Sequence, residues 1–172
     1  MNHEPSRALQ DPKELLVGQI AGYRRTLFDK LSGLDDAQLR ARLVPSGWSP
    51  IELANHLFYM ERRWIEWGFE AQPLEDPDGD TDDDDQWRIA DDTGADATAL
   101  IERWVTVADE LAARLDRVAA ENQLETRAGI GGRFDKDPPT LGWILLHVLQ
   151  EYARHLGQLD IVRELIDYST GE

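Results

Sequence analysis

The chain of 172 residues has the length of one domain, and its 41% of apolar residues, six Trp among them, are enough for a sizeable core. It contains no cysteine, which excludes disulfides, thiolate metal ligands and a cysteine nucleophile. The formal net charge of -16 makes nucleic acid and anionic lipid poor candidates as partners, because both would repel the protein.

The first part of the chain predicts an arm, a long helix and a short helix. Residues 1–10 carry no periodic pattern, and we expect a flexible N-terminal arm. Asp11, followed by Pro, begins a helix, and apolar residues at spacings of four and three continue it to about Gly33. A weaker start at Leu34 predicts a short helix through about Arg42.

A second long helix begins at the segment Ser49-Pro50-Ile51-Glu52, which combines a Ser cap, a Pro in the first position and a Glu in the third. We expect it to run to about Glu70, with His56 beside its apolar seam.

An acidic loop follows, from Gln72 to Asp92, with eight carboxylates between Glu75 and Asp85. Its Asp76, Asp78 and Asp80 have the spacing of a calcium loop, but Thr81 replaces the turn Gly and Trp87 replaces the bidentate Glu. We therefore interpret the segment as a solvated, self-repelling loop whose far end is held to the core by Trp87 and Ile89.

Two more long helices complete the chain. The third is predicted from about Ala95 to Glu121, and a flexible connection, Asn122 to Pro139, leads to a fourth helix that Thr140 caps and that runs to about Asp167. No segment alternates with period two for long enough to predict a sheet.

These elements predict an all-α fold, a four-helix bundle with one short extra helix and a long acidic loop between the second and third long helices. We expect a single domain over residues 11–168 and a C-terminal tail over 169–172.

Three polar residues stand four apart on the fourth helix: His147, Glu151 and His155. Residues at i and i+4 lie one above the other, so two imidazoles and a carboxylate share one strip beside an apolar face. Such groups must be paired or must bind something, and a divalent metal is the sharpest candidate. His56, on the second helix, could face them, whereas His3 lies in the arm.

The pattern alone leaves ordinary structural roles open. A histidine beside an apolar seam is more often a hydrogen-bonded core residue than a ligand, and Glu151 could be a surface residue paired with Arg154.

The same residues resemble the DinB-like metal-binding four-helix-bundle superfamily, in particular its actinobacterial branch of mycothiol transferase-like proteins and mycothiol-dependent maleylpyruvate isomerases. The segments that carry the resemblance are His56-Leu57, His147-x-x-x-Glu151-x-x-x-His155-Leu156-Gly157-Gln158, Ser46-Gly47-Trp48-Ser49 and Trp143-x-x-x-His147. The resemblance implies His56, Glu151 and His155 as metal ligands. His147 would support them or serve as an alternative ligand.

The resemblance also implies a cofactor and a reaction. The metal would be zinc, with nickel or iron as alternatives, and mycothiol would be the cosubstrate of a metal-dependent thiol transferase or isomerase, its thiol activated by the metal toward a small electrophile. Arg154 and Gln158 could orient the substrate, although both could equally be ordinary helix-surface residues. The acidic loop argues against an anionic substrate such as maleylpyruvate.

Two other functions compete with this one. The protein could be a non-catalytic, dimeric bundle, an interaction or stress protein with a structural or vestigial metal site. Metal-assisted hydrolysis is a third interpretation, weakened because no general base remains once Glu151 is a ligand. Long helix faces favour a homodimer. We expect a cytoplasmic protein, since the sequence contains neither a signal-like start nor an apolar run of roughly 18 residues.

Overall fold

Four long helices form where the apolar spacing and the caps predict them, and the all-α bundle is confirmed in the part of the chain that the structure describes. That part of the computed structural model comprises residues 3–89 and 96–170. Its helices are α1 (Pro12–Leu31), α2 (Asp36–Leu39), α3 (Pro50–Trp64), α4 (Ala97–Glu121) and α5 (Leu141–Asp167), and a π-helical turn, Ile65–Phe69, continues α3. None of these helices is long and apolar enough to cross a membrane.

Side-chain caps set the helix starts. Asp11 accepts hydrogen bonds from the first backbone N–H groups of α1, and Thr140 accepts one from Trp143 N. At the start of α3, Glu52 accepts from both the backbone N–H and the hydroxyl of Ser49. These polar groups satisfy donors that a helix end leaves free, so the cap residues are good predictors of the boundaries.

The predicted end of the short helix differs from the structure, and the predicted start of the third long helix falls among residues that the structure does not describe. The short helix expected through about Arg42 ends at Leu39, since the buried Leu39 anchors it and the Arg42 guanidinium turns to pair with Glu52 of α3. The expected start of the third long helix near Ala95 lies outside the described residues, and so does the last part of the acidic loop, from residue 90.

Helix α5 packs against both α1 and α3. Its fully buried residues, among them Leu145, Val148 and Tyr152, belong to the same hydrophobic core as Leu53 and Leu57 of α3. This packing places the second and fourth long helices side by side, which is the arrangement that a site shared between them requires.

A buried polar cluster links α1, α3 and α5. Glu61, with no exposed surface, pairs with Arg24, and the hydroxyl of Tyr152 donates to Glu61 Oε2 at 2.9 Å. Burial raises the pKa of Tyr152 well above its ordinary value, so the phenol stays protonated as the donor. Because the three partners come from three helices, their hydrogen bonds favour one axial register.

The connection between α4 and α5, for which the sequence predicts only flexibility, is held by backbone hydrogen bonds. Gly129 N donates to Phe69 O at 2.8 Å, and Arg133 N donates to Trp67 O at 3.1 Å. The π-helical turn supplies both carbonyl groups. A side chain at Gly132 would have its Cβ less than 3.0 Å from Trp67 O, so this close approach requires glycine.

Residues 3–10 lie along α1. His3 Nε2 is 2.7 Å from Asp29 Oδ2, and Pro5 contacts α1 at Gly18. Flexibility of the arm stays a prediction.

Candidate metal centre

Three side chains from two helices meet at the interface of α3 and α5. His56 comes from α3, and Glu151 and His155 come from successive turns of α5. Each offers one ligand atom, and these atoms all lie within 4.8 Å of one another. The structure therefore brings together the three residues that the sequence resemblance implies as ligands.

The hydrogen bonds of both histidines leave the Nε2 atom as the available ligand. His56 Nδ1 lies 2.8 Å from a carboxylate oxygen of Asp80, and His155 Nδ1 lies 2.8 Å from the amide oxygen of Gln158. Both partner atoms are acceptors, so each neutral imidazole carries its proton on Nδ1. The lone pair of each Nε2 is then free for a metal, as is usual for metal-bound histidines.

The contact between Glu151 and His155 tests whether a cation fits. His155 Nε2 lies 3.1 Å from Glu151 Oε2, so two lone-pair atoms face each other unless a proton or a metal ion lies between them. Burial lowers the pKa of His155, and the nearby His56 lowers it further, although Gln158 and Glu151 oppose this. Protonation is thereby disfavoured, and a set of two imidazole nitrogens and one carboxylate oxygen fits zinc or another divalent first-row metal.

The spacing of the ligand atoms bears on how an ion would be held. Metal–ligand distances of about 2.1 Å place two ligand atoms of one ion no more than about 4.2 Å apart. The group of three, which spans up to 4.8 Å, would close slightly around an ion.

His147 lies on the far side of Glu151, outside the group of three. Its Nε2 is 3.7 Å from Glu151 Oε1. Its ring stacks on that of Trp143, with centroids 5.2 Å apart, and the centroid of the Trp64 ring lies 4.3 Å away. Burial lowers the pKa of His147. At a distance of 3.7 Å His147 makes no hydrogen bond to Glu151, and its role as a support or an alternative ligand stays a prediction.

Tryptophan side chains line the other side of the centre. Trp87 stacks on His56 with ring centroids 4.3 Å apart and meets the His155 ring edge-on at 5.1 Å. The ring of Trp48 lies next to that of Trp87, with centroids 6.0 Å apart. An opening of about 290 Å³ lies here, and His155 is the member of the group of three that lines it.

The two predicted substrate-orienting residues both line this opening, in different ways. Arg154 is exposed. The carbonyl of Gln158 is engaged by His155 Nδ1, so Gln158 orients an imidazole.

Asp80 is the residue that sequence reasoning missed. Within the acidic loop its side chain has no exposed surface, whereas that of Asp78 is 76% exposed. Burial opposes ionisation of Asp80, but hydrogen bonds from His56 and Arg63 outweigh this and lower the pKa of the carboxyl. Asp80 thus faces inward, and Asp76, Asp78 and Asp80 form no candidate metal group of their own.

The sequence signal that bears on the inward position of this loop was the expectation that Trp87 and Ile89 hold it to the core. This prediction is confirmed, since both side chains pack against core residues.

The sequence also matches a known family along most of its length. Residues 15–168 match the model of the family described as mycothiol-S-transferase. No curated protein matches the sequence. From the match over residues 15–168, the chain belongs to the mycothiol-S-transferase family.

Proposed function

We propose that the protein is a metal-dependent transferase that joins a small-molecule thiol of the mycothiol type to a small electrophile. The observation that carries this proposal is the group of His56, Glu151 and His155, which brings together two imidazole nitrogens and a carboxylate oxygen. One of its members, His155, also lines an opening at the surface. Three protein ligands are the usual share of a catalytic zinc site, where one position stays open for a reactant.

The residues of the group would hold a divalent metal, zinc first and nickel or iron as alternatives. When bound, such a metal lowers the pKa of a coordinated thiol and so supplies a nucleophile at neutral pH. Asp80 and Gln158 contact the Nδ1 atoms of the two imidazole rings.

The opening beside His155 favours small and uncharged electrophiles. Trp48 and Trp87 offer flat apolar surfaces, and Arg154 is the exposed cation that could orient a polar group. Asp85 lines the same opening, and the formal net charge is -16, so an anionic substrate would be repelled.

Purified protein tests the proposal in two steps. Elemental analysis without added metal should give close to one divalent ion per chain, and His56→Ala and His155→Ala should lose it. His3→Ala is the matched control, because His3 pairs with Asp29 of α1 and not with the group. The second step follows consumption of mycothiol with a chromogenic electrophile.

Cobalt substitution distinguishes a catalytic metal site from a structural one. Mycothiol should change the visible spectrum of the cobalt-loaded protein, because the sulfur would join the ligand set. An unchanged spectrum, together with stoichiometric metal, would refute thiol activation and favour the non-catalytic bundle. The homodimer and the cytoplasmic location stay predictions, and light scattering of the purified protein would test the first.

A further inference from the structure

We propose that Asp80 is a positioning residue for the candidate metal centre: its carboxylate holds the Nδ1–H tautomer of His56 and thereby presents Nε2 to the metal. The inference rests on the proposed function for its metal, but the state of His56 can be measured without any metal.

Both oxygens of Asp80 have specific partners. Oδ2 lies 2.8 Å from His56 Nδ1 and also accepts from Arg63 Nη2 at 3.1 Å, while Oδ1 pairs with Arg63 Nη1. An ionised carboxylate accepts and cannot donate, so the proton of this contact belongs to His56. A free imidazole has no such constraint.

Backbone contacts hold Asp80 in this position. Arg88 N donates to Asp80 O at 2.8 Å, and Asn55 of α3 donates through its side chain to Arg88 O at 2.8 Å. Gly79, immediately before it, lies against the side-chain ends of Asp76 and Tyr59. The carboxylate is therefore placed against α3 by several independent contacts.

The loop contacts His56 on two sides. Thr81 and Trp87 form an isolated antiparallel bridge, which brings Trp87 back over the face of the imidazole while Asp80 holds its edge. His56 is thus fixed both in tautomer and in ring orientation by one segment of the chain.

Because it is charged, Asp80 should influence His56 more strongly than Gln158 influences His155. A hydrogen bond to a carboxylate is about twice as strong as one to a neutral amide. Loss of the carboxylate would also leave the Arg63 cation without its buried partner, close to His56. Both effects weaken the binding of a metal cation.

The test compares Asp80→Asn and Asp80→Ala with Asp83→Asn, a matched control that changes the charge at an exposed position of the same loop. In the metal-free protein, multiple-bond proton–nitrogen NMR assigns the tautomer of His56, and the chain has only four histidines to resolve. Zinc dissociation constants are measured separately by competition with a chelator.

We expect the proton of His56 on Nδ1 in the wild type and in Asp83→Asn, and a shift toward Nε2 in Asp80→Ala. Zinc binding should weaken by about 10–100-fold in Asp80→Ala, the range typical of residues that orient metal ligands, and less in Asp80→Asn, whose amide oxygen can still accept. The control should bind as the wild type does.

An Nε2–H tautomer in the wild type, or an unchanged tautomer in Asp80→Ala, would overturn the role of Asp80. A tautomer shift with unchanged zinc affinity would overturn its link to the metal. Wild-type protein that binds neither zinc, nickel nor iron would instead refute the proposed function, and the NMR result would still decide what Asp80 does to His56. Should Asp80→Ala fail to fold, the wild-type tautomer and the zinc affinity of Asp80→Asn relative to Asp83→Asn decide instead, and equal affinities of these two variants would overturn the role of Asp80.

Discussion

The hydroxyl of Tyr152 is predicted to stabilise the bundle by its buried hydrogen bond to Glu61. In Tyr152→Phe the ring stays in place, so no cavity forms, but Glu61 loses the donor that lies 2.9 Å away. A hydrogen bond to a charged group contributes about 1.5–3 kcal/mol, and we expect the free energy of unfolding to fall by that amount. For a chain of this size, 2 kcal/mol corresponds to a Tm lower by about 4–8 °C.

Urea unfolding at pH 7 measures this change, with an unchanged m-value as the sign that both proteins unfold alike. Tyr168→Phe is the control, because Tyr168 is 89% exposed and its hydroxyl should matter by less than about 0.5 kcal/mol. Glu61→Gln should cost more, about 3–5 kcal/mol, because it leaves the Arg24 cation buried without its partner. If Tyr152→Phe and Tyr168→Phe were equally stable, the buried hydrogen bond would contribute nothing to stability and the argument for register would fail.

Three further predictions concern pH, backbone packing and metal. Because the raised pKa of Tyr152 keeps it protonated in the folded state, the stability that this group contributes is full below the ordinary pKa of about 10 and is lost above it. Above about pH 10 the free energy of unfolding of the wild type should therefore fall more steeply than that of Tyr152→Phe. Parallel curves of this free energy against pH would contradict the prediction. Gly132→Ala should destabilise the protein by about 1–3 kcal/mol, because the new Cβ would meet Trp67 O. Gly157→Ala, which has open space within α5, should instead stabilise it by about 0.5–1 kcal/mol. Equal effects in thermal unfolding would show that the close approach of Gly132 to Trp67 is unimportant. Zinc at about 100 times its dissociation constant should raise the free energy of unfolding by about 2.7 kcal/mol, and chelation should reverse this; a denaturation midpoint that is indifferent to both would show that zinc does not bind the folded protein.

The helices were predictable because their signals are local. Apolar residues at spacings of three and four define each stripe, and the caps at Asp11, Ser49 and Thr140 act within one helical turn. The π-helical turn was not predictable, since five residues, Ile65–Phe69, are too few to distinguish its period from that of α3.

The candidate site was predictable in its α5 part and only through resemblance in its α3 part. Glu151 and His155 share a strip of one helix by their spacing alone. The position of His56 relative to them depends on how α3 packs on α5, which is a contact between residues about a hundred positions apart. The family resemblance supplied that pairing.

The role of Asp80 could not be read from composition. The eight carboxylates between Glu75 and Asp85 look alike in the sequence and together predict a solvated loop. Which of them is buried depends on the distant cation of Arg63 and on the His56 imidazole, both supplied by α3. Long-range partners of this kind leave no periodic signal.

Because Trp87 stacks on His56, intrinsic tryptophan fluorescence should respond to an ion at the candidate metal centre. An indole whose ring centroid lies 4.3 Å from that of a candidate ligand sits within quenching distance of any open-shell ion held there. Cobalt or nickel should therefore dim the intrinsic fluorescence while zinc leaves it bright, and a Trp87→Phe variant would identify the indole responsible. Loss of this emission on addition of cobalt would therefore report binding at the proposed centre in unlabelled samples.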